Sequence, residues 1–259
     1  MLDIGGSDEN WTHFRGTDLR AIASVETVPV EWDEEANIIW KTAIHGRGWS
    51  SPVVYGDQIW VTTANREGTG LSAVCVDFKS GRIIHDILVF SMDDAIRKHD
   101  INSFASPTPA IEEGFVYVHF GSMGTACINT ADGSVVWTRT DLECNHIQGP
   151  GSSAFLYNDL LILHYEGVDV RYLAGLDKRT GDDVWEHRLR SQFNSSPVYA
   201  AGNIYFSSTR GETIVIEQGR ELNIVAENKL DGEIWATPAF LRNSIIMRTD
   251  SHLYRIAGK

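Results

Sequence analysis

The chain has 259 residues, of which 42% are hydrophobic and 22% charged, and its 35 acidic and 22 basic side chains give a formal net charge of −13. Such a charge repels phosphate backbones, so the composition argues against nucleic-acid binding. Three cysteines without a CxxC pair argue against a disulfide framework or zinc site, and no run approaches the roughly 18 apolar residues of a membrane span.

The beginning of the chain is predicted to form an arm, residues 1–36, that packs on a repeat domain formed by residues 37–259. The arm contains the stretches WTHFRGT and VPVEWDEE. Residues 37–46, with the sequence NIIWKTAIHG, are predicted to form a strand that carries Trp40 and lies before the first full repeat.

Five segments then share one pattern: a small residue or proline, a short apolar run, a turn and a second apolar run. The first of them is SSPVVYGDQIWVTT at residues 50–63. A period of about 40–50 residues with several short strands per unit is typical of a β-propeller. The positions that align the five segments are Pro52, Pro109, Ala154, Pro197 and Pro238.

A third strand, a glycine turn and a fourth strand follow in the first three repeats. Asp77, Asn129 and Asp177 each stand four residues before a glycine. This spacing favours a hairpin, because an Asx side chain bonds the turn backbone and glycine accepts a positive φ. Large aromatic side chains on the outer strand are expected to dock adjacent blades. The docking residues are predicted to be Trp40, Trp137 and Trp185.

The last repeat has only three predicted strands, the third at residues 252–258, and would leave an open edge. Strand 37–46 is predicted to complete it, because Trp40 occupies the slot that Trp137 and Trp185 hold in their repeats. The predicted fold is therefore all-β, a β-propeller of five four-stranded blades closed by the N-terminal strand.

With these repeats in place, the chain resembles the PQQ-like (pyrroloquinoline-quinone-like) propeller proteins, through WTHFRGT, EWDEEANIIWKTAIHGRGWSSPVVYGD, ASPTPAIEEGFVYVHFG and LDKRTGDDVW. It is more distantly similar to the propeller lipoprotein of the outer-membrane assembly machinery and to quinoprotein alcohol dehydrogenases. Compared with similar members the chain is shortened, since residues 184–190 run straight into 191–198. The resemblance implies a periplasmic or other extracytoplasmic bacterial protein. The opening MLDIGGSDEN shows no export signal, which leaves a cytoplasmic location open.

A quinoprotein enzyme would, by that resemblance, need an adjacent cysteine pair on PQQ and Asp, Glu and Asn residues around Ca²⁺. Cys75 and Cys127 instead stand alone in the same slot of successive repeats, as small core residues do. We therefore expect no cofactor, no metal site and no catalytic residue. His119 and His164 share one register, and without a third ligand they are predicted to be polar residues at a wetter strand end.

The loops that lead into the first strand of each repeat should converge at one mouth of the propeller. Their aromatic, amide and imidazole side chains suit a sugar, a peptide or a planar ligand. Trp49 and Trp235 have a second interpretation, as plugs of the central channel. The candidate binding residues are His45, Arg47, Trp49, His99, Asn102, Phe104, His146, Gln148, Gln192, Asn194 and Trp235.

The predicted function is a non-catalytic, monomeric scaffold that binds a protein or small ligand at that mouth. The alternative is a quinoprotein-like oxidoreductase that uses PQQ and calcium. A shortened fragment without a role of its own is the third possibility.

Overall fold

The computed structural model describes residues 10–257 except 20, 22, 24, 26, 190, 194 and 242. This described part contains 19 strands and no helix, in agreement with the predicted all-β class. It therefore includes no helix with the length and hydrophobicity that a membrane crossing requires. The strands form five antiparallel sheets, one for each predicted repeat.

The chain divides into two compact units. The first unit extends up to Asp169 and includes Gly175–Asp183, and the second comprises Val170–Ala174 and the chain from Val184 onward. The first two sheets belong to the first unit and the last two to the second. The boundary falls within two strands of the third sheet.

The first two sheets each run in chain order, with every strand paired to the next. The first sheet contains β1 (Val53–Tyr55), β2 (Gln58–Ala64), β3 (Gly70–Asp77) and β4 (Ile83–Ser91). The second contains β5 (Ala110–Glu112), β6 (Phe115–His119), β7 (Thr125–Asn129) and β8 (Val135–Arg139).

The other three sheets repeat this order, and the last of them has three strands. The third contains β9 (Phe155–Tyr157), β10 (Leu160–Glu166), β11 (Arg171–Asp177) and β12 (Asp183–Arg188). The fourth contains β13 (Val198–Ala200), β14 (Asn203–Ser207), β15 (Glu212–Glu217) and β16 (Asn223–Lys229). The fifth contains β17 (Ala239–Leu241), β18 (Ser244–Arg248) and β19 (Leu253–Ala257).

The first hairpin of every sheet turns through two residues. In the first sheet Tyr55 pairs with Gln58, so Gly56 and Asp57 form the whole loop. Such two-residue turns need a positive φ, which Gly, Asn and Asp supply most readily. The positive-φ residues in these five loops are Gly56, Gly114, Asn158, Ala201, Gly202 and Asn243.

The middle strands supply the core of the first unit. Trp60 on β2, Leu71 on β3 and Val116 on β6 are fully buried, and they pack in one cluster with Phe90 and Phe120. Each such side chain contributes roughly 1.5–3 kcal/mol by leaving water. The outer strands alternate between partly buried and exposed residues, because only one of their faces meets the core.

Aromatic side chains pack on the glycine of the third-to-fourth strand turn in the next sheet. The Trp137 indole lies over Gly181, where an added Cβ would come within 2.7 Å of the ring, and its Nε1–H donates to the Lys178 carbonyl at 3.0 Å. Trp40 makes the same pair of contacts, packing on Gly81 and donating from Nε1 to the Phe78 carbonyl at 3.0 Å. Glycine is required at these turns by both the positive φ and the close approach of the ring.

One prediction about the outer-strand aromatics differs from the structure. Residues 37–46 form no strand, although Trp40 holds the expected slot against the first sheet, because Trp40 and Thr42 bond the Phe78 and Gly81 carbonyls individually rather than through a ladder. Closure of the last sheet by this segment stays a prediction. Trp185 packs against the second unit's core cluster, which includes Leu189 of its own repeat and Ile214 of the next sheet, so it lies between two sheets without a turn glycine beneath it.

Hydroxyl side chains link the entrances of successive repeats. The residue directly before each aligning position is Ser or Thr: Ser51, Thr108, Ser153, Ser196 and Thr237. The Ser51 N–H donates to Thr108 Oγ1 at 3.0 Å, and the Thr108 N–H donates to Ser153 Oγ at 3.0 Å. The Ser196 N–H donates to Thr237 Oγ1 at 3.0 Å. We call these five residues the hydroxyl belt.

The described part of the N-terminal arm crosses the first strands of three sheets. Trp11 exchanges two 2.8 Å backbone hydrogen bonds with Val54 of β1, and the Thr12 carbonyl accepts from the Ile111 N–H of β5 at 3.0 Å. His13 Nε2 accepts from the Leu156 N–H of β9 at 3.2 Å, and burial lowers the His13 pKa to about 4. The arm thus covers edge groups that these strands would otherwise leave unpaired.

Replacing Thr108 with valine keeps its shape but removes the acceptor for the Ser51 N–H. We expect Thr108→Val to lower the free energy of unfolding by about 1–2 kcal/mol, because Thr108 is only 2% exposed and water cannot substitute. Thr237→Val is the matched control: its hydroxyl accepts the same bond, but the residue is exposed. Urea unfolding measures both variants, and a loss at Thr108 no larger than that at Thr237 would contradict the argument that burial makes the Thr108 acceptor irreplaceable by water.

Gly181→Ala tests the docking of Trp137. We expect a loss of about 2–4 kcal/mol in the free energy of unfolding, since the variant combines left-handed backbone strain with a clash against the indole. Gly114→Ala is the control, because Gly114 has a similar φ, +80 against +78, and nothing within 4 Å of an added Cβ. The difference between the two variants in thermal or urea unfolding isolates the clash, and no difference would mean that Trp137 does not depend on this glycine.

Candidate functional site

Two loops that lead into the first strand of a sheet share the pattern G-x-x-W-x-x-P. One occupies residues 46–52 before β1, and the other occupies residues 232–238 before β17. Both glycines have a positive φ, +70° at Gly46 and +93° at Gly232, and an added Cβ would overlap a residue at the end of the second strand or just after it, Ala64 for Gly46 and Asp250 for Gly232. The two loops therefore approach the strand ends in the same way.

The first loop presents a stacked cation. Arg47 exchanges backbone hydrogen bonds with Ala64 at 2.8 and 3.1 Å, which anchors the loop to the end of β2. Its guanidinium carbon lies 4.9 Å from the centre of the Trp49 ring, and Trp49 is 49% exposed. A cation on an indole face is attracted by the ring quadrupole. Among the described residues, no carboxylate is within ion-pair distance of Arg47.

His45 lies beside this pair and is held from two sides. Its Nε2 is 2.9 Å from Asp86 Oδ1, and its carbonyl accepts from Thr63 Oγ1 at 2.5 Å. A cleft of about 390 Å³ opens here. The cleft is lined by Ile44, His45, Gly46, Arg47, Gly48, Ser50, Val61, Thr62 and Thr63.

The second loop presents an acidic partner for its tryptophan. The Trp235 Nε1–H donates to Glu233 Oε2 at 2.7 Å, and Trp235 is 54% exposed. The Glu233 carbonyl accepts from the Asp250 N–H at 2.9 Å, and the Glu233 N–H donates to Asp250 Oδ1 at 3.0 Å. A cleft of about 350 Å³ is lined by Glu233, Trp235, Ala236, Arg248, Thr249 and Asp250.

Three of the other predicted mouth residues form a structural cluster. Asn102 Nδ2 donates to the Gln148 carbonyl at 2.7 Å and to the Pro150 carbonyl at 3.2 Å, while its Oδ1 accepts from Ser106 Oγ at 2.6 Å. The His99 N–H also donates to the Gln148 carbonyl, at 3.3 Å. The Asn102 amide is therefore committed to holding two loops together.

The remaining predicted residues have separate surroundings. Phe104 is only 9% exposed and packs in the first unit's core, with Lys98 Nζ 5.1 Å from its ring centre. Gln192 is exposed, and its carbonyl accepts from the Thr209 N–H at 2.8 Å. Asn194 lies outside the described residues.

His146 pairs with the third cysteine. Its Nε2 is 3.2 Å from Cys144 Sγ and accepts from the Ser122 N–H at 3.3 Å. Burial raises the pKa of the Cys144 thiol to about 12 and lowers that of His146. Both groups are consequently neutral near pH 7, and the thiol is not activated as a nucleophile.

His119 was predicted at a wetter strand end, and that prediction is wrong. The residue is 2% exposed, its Nδ1 is 2.8 Å from Thr125 Oγ1, and its ring meets Tyr165 edge-on at 5.4 Å. Burial, with a smaller effect of His146, lowers its pKa to about 3. His164, in the same register, is 29% exposed at its side chain and lies 3.2 Å from Glu166 Oε2.

The side chains do not fit the arrangement that a quinoprotein would need. Cys75 and Cys127 are both fully buried in the middle of β3 and β7, and burial raises each thiol pKa to about 12. All three cysteines are free thiols. Within the described part of the chain, no three His, Cys, Asp or Glu side chains converge as a metal site.

The predicted mouth residues therefore form small groups. His45 and Arg47 line the first cleft, Trp49 lies beneath the Arg47 guanidinium, and the Trp49 N–H donates to the Ala105 carbonyl at 2.9 Å, next to Phe104. Trp235 lies at the second cleft with Glu233, which sequence reasoning missed. The repeated G-x-x-W-x-x-P pattern is the signal that would have pointed to Glu233.

Comparisons with known proteins agree with this fold. A family model described as outer membrane protein assembly factor BamB matches residues 74–258. BamB from Moraxella catarrhalis is 13% identical in a similarity that covers 82% of this chain and 60% of that one, with a TM-score of 0.49. Quinohemoprotein alcohol dehydrogenase from Comamonas testosteroni is 11% identical, covering 82% of this chain and 41% of that one, with a TM-score of 0.52.

The family match, together with the likeness to the dehydrogenase, confirms the predicted PQQ-like β-propeller fold. The chain spans 60% of the length of the BamB structure and 41% of the length of the dehydrogenase. No curated protein matches the chain in sequence. At identities of 11–13% the solved structures are informative about fold and not about chemistry.

The buried His119 makes stability depend on pH. Because its pKa is about 3 in the folded protein and 6.5 in the unfolded chain, only the unfolded chain binds the proton between these values. Stability from this group is present above pH 6.5 and is lost as the pH falls, by about 1.4 kcal/mol per pH unit. We expect His119→Ser, which copies Ser207 of the fourth repeat, to reduce the slope by that amount in urea unfolding between pH 6.5 and 4.5. An unchanged slope would contradict this assignment.

Proposed function

Because the chain belongs to the PQQ_2 family, whose model is described as outer membrane protein assembly factor BamB, we propose that it is a non-catalytic scaffold that binds other proteins. The supporting observation is the pair of G-x-x-W-x-x-P loops. Each presents a half-exposed tryptophan two positions after a charged residue, and that charged residue lines a cleft. Tryptophan and arginine are the residues most enriched among the energetic centres of protein interfaces.

The exposure of the two tryptophans favours binding over plugging. A plug would be buried like Trp60, which is 0% exposed, whereas Trp49 and Trp235 are 49% and 54% exposed. An exposed indole offers a large rigid apolar surface whose ordering costs little side-chain entropy. Both tryptophans are also held in place, one by Arg47 and one by Glu233, so binding would not have to fix their rotamers.

Reactive side chains among the predicted mouth residues are occupied by structural contacts. His45 is paired with Asp86, His146 is neutral beside the Cys144 thiol, and the Asn102 amide bridges two carbonyls. The side chains also do not fit PQQ with calcium, since the cysteines are single and buried. Only the similarity of fold supports the quinoprotein alternative.

The partner that follows from the family is a component of the outer-membrane assembly machinery, and the location that follows is the periplasm. The chain covers 60% of the length of the BamB structure, so these assignments apply to the part of the family represented by its five repeats. The acidic surface, with a net charge of −13, favours a partner that carries basic patches.

Calorimetric titration against purified soluble domains of the outer-membrane assembly machinery tests the proposal. We expect 1:1 binding, weakened at least tenfold in a Trp49→Ala, Trp235→Ala double variant. Trp32→Ala is the matched control, because it removes a tryptophan that is 66% exposed but lies in the arm. In parallel, PQQ with Ca²⁺ should neither raise the melting temperature nor support dye reduction with alcohols. Cofactor-dependent turnover, or the absence of any binding domain, would overturn the scaffold proposal.

A further inference from the structure

The two G-x-x-W-x-x-P loops share one spacing and one backbone pairing, but they carry side chains of opposite charge. Counted from the aligning prolines, the tryptophan stands three residues before and the charged residue five before in both loops. Each charged residue also pairs through its backbone with the residue twelve positions after the proline, Ala64 in one loop and Asp250 in the other. The variable element is therefore the side chain two residues before the tryptophan, Arg47 or Glu233.

The Arg47 loop has an unused capacity for an anion. Its guanidinium is stacked on Trp49, and no described carboxylate lies within ion-pair distance, although the chain carries 35 acidic residues. The guanidinium carbon lies over the Trp49 ring, and a guanidinium edge matches a carboxylate with two parallel hydrogen bonds. The cleft beside it is lined by Ile44 and Val61 as well as by hydroxyl groups, backbone and one imidazole, and no carboxylate is among its lining residues.

The Glu233 loop has the opposite character. Glu233 and Asp250 give its cleft two carboxylates against one cation, Arg248. Glu233 Oε2 holds the Trp235 Nε1–H at 2.7 Å, which fixes the indole beside a negative charge. An indole face next to a carboxylate is a favourable site for an ammonium or guanidinium group, which gains both cation–π and ion-pair contacts.

We propose, building on the scaffold function, that these loops recognise opposite charges on a protein partner. The Arg47–Trp49 loop binds an aspartate or glutamate side chain, and the Glu233–Trp235 loop binds a lysine or arginine side chain. Each loop is selective by itself, because a side chain with the same charge as Arg47 or Glu233 would be repelled by it.

The test uses indole Nε1–H signals in ¹⁵N-correlated NMR spectra, assigned with Trp49→Phe and Trp235→Phe. The probes are acetyl-(Glu-Gly)₃-amide and acetyl-(Lys-Gly)₃-amide. We expect the glutamate peptide to shift the Trp49 signal and leave that of Trp235 unchanged, and the lysine peptide to do the reverse. Arg47→Glu should weaken glutamate-peptide binding at least tenfold, and Glu233→Arg should do the same for the lysine peptide.

Matched charge reversals away from the loops separate contact from long-range attraction. Arg97→Glu and Glu221→Arg change exposed residues by the same charge and should leave both affinities within twofold. If they weaken binding as much as the loop variants do, or if each peptide shifts both tryptophans equally, the proposal is overturned. If the domain titration of the scaffold test succeeds while the peptides bind nowhere near the loops, this inference fails and the scaffold function stands.

Discussion

A single requirement underlies the arrangement of the repeats: the backbone N–H that precedes each first strand needs an acceptor. In three repeats the hydroxyl belt supplies this acceptor: the Ser51 N–H donates to Thr108, the Thr108 N–H donates to Ser153, and the Ser196 N–H donates to Thr237. A buried N–H left without an acceptor costs about 1–3 kcal/mol. Within each compact unit, the belt thus ties the entrance of one sheet to that of the next.

A second coupling acts at the outer strands and depends on shape. Trp40 and Trp137 need a glycine beneath the ring and a carbonyl for the indole N–H, and the turns that begin with Asp77 and Asp177 supply both. The Asx side chain bonds the turn backbone, and the glycine, which has no Cβ, leaves room for the indole ring. The same residues therefore determine both the turn and the packing between sheets. The belt is polar and directional, whereas this contact draws mainly on buried aromatic area.

Much of this could be read from the sequence because it depends on local chemistry. The two-residue hairpins, the Asx–Gly turns and the core slot of Cys75 and Cys127 follow from residue type and spacing. Residues that depend on tertiary neighbours were harder to place. His119 is buried because Tyr165 of another repeat covers it. Phe104 lies in the core, although the sequence predicts it in a surface loop. Residues 37–46 have the composition of a strand, but a strand also needs a ladder partner, and their contacts are made one side chain at a time. The shared pattern of the two tryptophan loops can be seen in the sequence. That Arg47 and Glu233 pair through the backbone with equivalent residues can be seen only in the structure.

The arm that crosses β1, β5 and β9 has a consequence for biogenesis. His13 bonds a residue 143 positions further along the chain, so the arm cannot reach its final place until the first strand of the third repeat has been made. Such a distant contact forms late, since the closure entropy of the long intervening loop must be offset by structure already present. During synthesis, the edge groups of the first strands stay uncovered and open to chaperones or to pairing with other chains.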